Sequence, residues 1–211
     1  MQGIHHFETF LITGILLNLT PGNDTIFILS KSIAQGRKAG IISVLGITTG
    51  SIIHTVFAGY GLSIIIAKSL FVFNLIKYAG AAYLFYLGYK MFKDKSNLSA
   101  GTIQKQKSIS YLKIYSDAII TNVLNPKVAL FFIAFLPQFI NPDANNTMLP
   151  FLLLGATFIT TGTIWCLTLA IFASAIFAKF KSNSNLSRYF NKVCGFTLIA
   201  LGIKVAFTSR K

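Results

Sequence analysis

Two ionisable side chains lie where this chain is otherwise apolar. Asp24 follows the run Asn18-Leu19-Thr20-Pro21-Gly22-Asn23, and Lys127 follows Asn122-Val123-Leu124-Asn125-Pro126. Each sits in a segment long enough to cross a bilayer. One charge at that depth costs roughly 2.5–3.5 kcal/mol on insertion scales, and the two together roughly 5–7 kcal/mol. Such charges persist in a protein-lined or water-lined cavity. A free amino acid would suit the pair, its ammonium on Asp24 and its carboxylate on Lys127. With the site empty, the two side chains are expected to pair with each other. Two plainer readings stand beside this one. Asp24 could simply cap the helix resuming at Thr25, and the pair could be a structural bridge.

The elements that would position these charges are interrupted helices. Pro21 removes a backbone donor and clashes with the preceding turn, and Gly22 adds backbone freedom. Pro126 fits the first position of a resumed helix, with Asn125 as its cap. Two half-helix N-termini are therefore expected near the midplane, presenting unpaired N–H groups and positive dipole ends. The candidate substrate-binding residues are Asn18, Pro21, Gly22, Asn23, Asp24, Asn122, Asn125, Pro126 and Lys127. Asp24 and His54, the one histidine deep in a span, are candidates for proton coupling; hydrogen-bonded packing is the other reading of His54. His5 and His6 lie near Glu8 at the N-terminal edge, where interfacial solvation outweighs a metal site. No cofactor or resident metal is expected.

The rest of the composition agrees with a bilayer setting. The chain is 54% hydrophobic and 11% charged, and its apolar residues come in runs of about twenty. The net charge of +14 does not point to nucleic acid, because the basic residues sit in short loops between apolar spans. They suit anionic lipid better. The expected fold is all-α and polytopic, a single transmembrane domain over 1–211. Six spans are predicted at about 7–30, 40–66, 69–91, 111–139, 148–178 and 189–208. The linker 93–110 separates a first repeat (1–92) from a second (111–211). The first span is read as retained, since it lacks a basic n-region and a cleavage site. Cys166 and Cys194 read as small buried hydrophobes.

Thirteen basic residues, among them Lys31, Arg37, Lys38, Lys105, Lys107 and Arg188, fall on one side of these spans and predict a cytoplasmic face there. The two halves also echo each other. Ile47-Thr48-Thr49-Gly50 recurs as Ile159-Thr160-Thr161-Gly162, Leu87-Gly88 as Leu201-Gly202, and Pro21 is answered by Pro126. With three spans per half, the second half enters the membrane from the opposite side. An inverted repeat with interrupted first and fourth helices is the sequence signature of a transporter with a midplane site. Gly46 and Gly50 form a close-approach face, for packing inside the bundle first and homo-oligomer formation second.

At these residues the chain resembles the lysine exporter and homoserine/threonine exporter (LysE/RhtB) family of small bacterial inner-membrane translocators. The resemblance is carried by Asn18 to Asp24, by Ser32 to Gly36 with the following basic pair, by Gly80-Ala81-Ala82-Tyr83-Leu84 through Gly88, and by Leu124-Asn125-Pro126-Lys127 through Leu136-Pro137-Gln138-Phe139. It implies efflux of amino acids or their derivatives, driven by the proton-motive force. Family members usually carry Pro-Gly-Pro at the first break, and here Asn23 replaces the second proline. Two rival classes are weighed against this one. A divalent metal-cation exporter wants clustered His, Asp or Cys ligands, whereas the five acidic residues here are mostly scattered. A membrane thiol oxidoreductase wants cysteines at the broken helices, and these lie in the fifth and sixth spans. No nucleotide or phosphate loop is present, so an enzyme is not expected.

Overall fold

The computed structural model describes residues 3–62, 70–93, 109–141 and 148–182, with scattered residues between 189 and 207. Most of the linker, the loop 142–147, Lys68, Cys194 and much of the expected sixth span lie outside the described residues.

Each proline acts where backbone chemistry requires it. Helix α1 (Phe7–Leu19) stops before Thr20, whose extended backbone (φ −65°, ψ 121°) is the conformation a following proline favours. Helix α2 (Asn23–Gln35) resumes past Pro21 and Gly22. Helix α3 (Arg37–Phe57) runs on through a π-helical turn at Ala58–Leu62, and α4 spans Leu70–Lys93. Helix α5 (Tyr111–Val123) stops at Leu124, and α6 begins with Pro126 at its first position and ends at Leu130. A second π-helical turn (Phe131–Phe135) and a 3-10 turn (Leu136–Phe139) complete this segment. Helix α7 (Met148–Ser182) leaves helical geometry at Phe172.

Among the described residues, Arg37–Gly61 and Met148–Ala173 are long and apolar enough to cross a membrane unaided. The segments Tyr111–Val123 and Pro126–Phe139, bent by 46°, make a third span when counted together. Helix α1 is apolar but shorter. The all-helical class is as expected, while the two π-helical turns were not legible in the sequence.

Contacts sort the helix ends into two sets. Ile109 N–H donates to Gln35 Oε1 (3.1 Å), and the Lys38 ammonium lies 5.1 Å from the Tyr111 ring centroid. The basic first loop and the end of the long linker therefore share one end of the bundle. Ile4 bridges Ile140 at another point, where His5 N–H donates to Phe139 O (3.0 Å). Between these ends, α3 packs closely on α5. A Cβ on Gly46 would meet Tyr115 O at 2.5 Å and Ala118 at 2.6 Å, so only glycine permits this approach. An aromatic cluster fills the space below the second break, with Phe131 stacked 4.1 Å from Phe158 and Phe10 edge-on to Phe139 at 5.3 Å. The buried clusters built on Phe131 and on Ile28 give the two breaks a packed frame.

Candidate functional site

A cavity lies between the two breaks, lined by Asn18, Asp24 and Thr25 from the first broken segment and by Asn122, Lys127 and Val128 from the second. Helix α3 contributes Ile47, Thr48 and Ser51; α7 contributes Phe158, Ile159, Gly162, Thr163 and Cys166. Its volume of ≈ 40 Å³ holds a few waters rather than an amino acid.

Asp24 sits in the first turn of α2, where a negative charge meets the positive end of the helix. Its Oδ2 accepts from Asn122 Nδ2 at 2.8 Å, while its Oδ1 is buried with no hydrogen-bond partner. No side chain caps α2, because the N-cap is Gly22. Lys127 does something different. Its ammonium donates to Thr20 O (2.8 Å) and Leu17 O (3.2 Å), the carbonyls that close α1. Each charge is thus matched to a helix end. These backbone and amide contacts hold the two side chains and leave Asp24 Oδ1 open.

The two asparagines hold the walls. Asn18 Nδ2 donates to Thr161 Oγ1 (3.1 Å) and to Phe158 O (3.3 Å), and packs against Gly162. Asn122 accepts from Ser51 Oγ (3.3 Å) and packs against Gly50. His54 lies one turn beyond Ser51, with Nε2 3.3 Å from Asn122 O and its ring stacked on Phe132. Thr48 and Thr163 share a hydrogen bond across the cavity (3.0 Å). Among the described residues, no three His, Cys, Asp or Glu side chains are grouped as metal ligands would be.

A sequence profile described as LysE type translocator matches residues 15–209. The chain belongs to this family. It is 34% identical over 213 residues to the uncharacterized membrane protein YrhP of Bacillus subtilis, covering 97% of this chain and 100% of that one. It is 32% identical over 197 residues to the homoserine/homoserine lactone efflux protein of Salmonella typhimurium, covering 93% and 94%. An uncharacterized membrane protein of Vibrio cholerae is 30% identical, covering 96% and 97%. No solved structure matches.

In this LysE-type translocator, the sequence-derived candidates divide into three groups. Asn18, Asp24, Asn122 and Lys127 converge on the cavity. Pro21 and Gly22 form the break behind Lys127, with an ideal Cβ on Gly22 only 3.3 Å from the ammonium. Asn23 and Pro126 are exposed and are not among the lining residues, and buried Asn125 caps α6 by accepting from Lys127 N–H at 3.1 Å. The second half-helix N-terminus is therefore already capped, and only the first lacks a side-chain cap. Sequence reasoning missed Thr25, Ser51 and Thr163. It named Thr48 and Gly162 as repeat markers and Cys166 as a packing residue, without placing any of them at the cavity.

Proposed function

We propose that the protein is a secondary transporter that exports small neutral amino acids across the bacterial inner membrane by proton antiport. Homoserine and threonine are the first candidates. The observation that carries this reading is the cavity between two broken helices, with the open Oδ1 of Asp24 beside uncapped amides at the start of α2. An ammonium satisfies the buried carboxylate oxygen, and a carbonyl or carboxylate oxygen satisfies the amides. The homoserine/homoserine lactone efflux protein of Salmonella, similar over nearly the whole length, supports amino-acid efflux.

The like contacts Asn18 on Gly162 and Asn122 on Gly50 support an inverted repeat, with the site at its centre. Alternating access then tilts the halves to expose the cavity to one side at a time. Asp24 would exchange the outgoing ammonium for an incoming proton, and His54, linked to Asp24 through Asn122, would lie on the proton's route. One net charge moved across 100 mV corresponds to about 2.3 kcal/mol, or roughly a 50-fold gradient. Efflux should respond to both voltage and ΔpH.

The test is metabolite release from cells producing the wild-type protein or Asp24→Asn. Wild-type cells should release homoserine or threonine and tolerate toxic levels of them, and dissipating the proton gradient should stop uphill release while ATP is maintained. Equal release from both strains, with equal protein in the membrane, would refute the assignment of Asp24.

A further inference from the structure

We propose that Lys127 is a positioning residue that closes the end of α1, not the partner of the substrate's carboxylate. Recognition then rests on the amine at Asp24 and on a carbonyl oxygen at the α2 amides. This inference builds on the amino-acid export reading and names the chemical class that the site admits: primary amines bearing a neighbouring carbonyl, whether or not that carbonyl carries charge.

The geometry has three parts. First, α1 has no basic residue in its own last turn, so the negative end of its dipole is met from the other half of the chain. Thr20 Oγ1 closes Leu16 O (2.8 Å), and Lys127 closes Leu17 O and Thr20 O. Thr20 N–H also reaches Leu16 O (3.1 Å) and Leu17 O (3.2 Å), but Pro21 has no N–H to give Leu17 O the bond a continuous helix would supply. Second, Gly22 has an ordinary extended backbone (φ −158°, ψ −168°), so it is not required there for its conformation. Its contribution is space, because a Cβ there would lie 3.3 Å from Lys127 Nζ and the side chain would have to shift slightly. Third, the open polar atom among the cavity's lining residues is an acceptor, Asp24 Oδ1, whereas the open Nδ2 of Asn125 belongs to a residue that does not line the cavity. A carboxylate approaching Lys127 would also approach the Leu17 and Thr20 carbonyls, which repel it. Backbone amides favour a carboxylate over a neutral carbonyl, but the Asp24 carboxylate in the same first turn already offsets the positive end of α2, so that preference is smaller than the one an ammonium would impose.

Purified full-length protein in liposomes provides the test. Labelled threonine counterflow is inhibited with unlabelled threonine or threoninamide, which keeps the amine and carbonyl but has no carboxylate. In the wild type the two half-inhibitory concentrations should agree within about tenfold. In Lys127→Gln, whose side-chain amide still donates to carbonyls, both should shift together and leave their ratio unchanged. Were Lys127 the carboxylate partner, the wild type should prefer threonine by roughly ten- to a hundredfold more than Lys127→Gln does. Such a selective loss would overturn the proposal. If Lys127→Gln does not accumulate, the wild-type ratio decides, and a preference for threonine above about a hundredfold counts against it. If Lys127→Gln accumulates but does not transport, binding is read in a Cys194→Ser background. There, protection of Cys166 from a thiol reagent reports occupancy of the cavity it lines. A wild-type protein indifferent to every amino acid and amide would instead fail the export reading, and this inference with it.

Discussion

The two helix breaks look alike in sequence and are built differently. At the second, Asn125 caps α6 with its own side chain, and its N–H donates to Asn122 O at 2.9 Å. That break is closed by residues within four positions of its proline. At the first, the N-cap is Gly22 and the carbonyl end of α1 is met by Lys127, more than a hundred residues away. One break is self-contained and the other is held together by its counterpart. The difference teaches that proline marks where a helix stops, while the capping inventory decides which stop is open to a ligand. The open break also carries the carboxylate.

This contrast can be strained at graded points. Among substitutions in the frame around the two breaks, the largest effect is expected from Gly50→Ala. Its Cβ would lie 2.6 Å from Asn122 Oδ1 and 2.8 Å from Asn122 Cβ, so Asn122 must shift and its bond to Asp24 with it. Overpacking of this kind costs about 1–3 kcal/mol, so counterflow in liposomes should fall by roughly tenfold or more. Gly22→Ala should do less. Its Cβ meets the flexible end of Lys127 at 3.3 Å, which can move by a few tenths of an ångström. Transport should fall by a few-fold, and an unchanged rate would show that the close approach is incidental. Asn125→Ala should have the smallest effect on transport, because it removes the cap of the closed break. It should lower thermal stability in detergent by about 1 kcal/mol while leaving apparent affinity for substrate intact. An affinity loss matching that of Gly50→Ala would mean that the two breaks are not functionally distinct.

Much of this was legible in the sequence for identifiable reasons. Pro21 and Pro126 announced the breaks because a missing N–H has no alternative reading inside an apolar span. Asn125 announced its cap through the Asn-Pro pair. The convergence of Asp24 and Lys127 followed from their matching places in the two halves. The partners of Lys127 could not be read, since backbone carbonyls at Leu17 and Thr20 carry no side-chain signature and lie far away in the chain. Asn23 was expected at the site because it adjoins Asp24, but a helix turns by about 100° per residue. When Asp24 faces the cavity, Asn23 faces outward. Ser51 and Thr163 escaped notice because the recurring Ile-Thr-Thr-Gly motif does not say which face of its helix is inward. The phenylalanines were counted, but their assembly around Phe131 depends on a π-helical turn that hydrophobic periodicity does not announce.

The most direct measurement of the central claim uses purified protein in liposomes with an imposed proton gradient. Labelled homoserine, threonine and a divalent metal ion are offered in turn to wild type and to Asp24→Asn. The account predicts gradient-driven movement of an amino acid by the wild type, at least a hundredfold loss in Asp24→Asn at equal incorporation, and no movement of metal. Gradient-driven movement of the metal with no amino-acid transport would contradict it and point to a cation exporter.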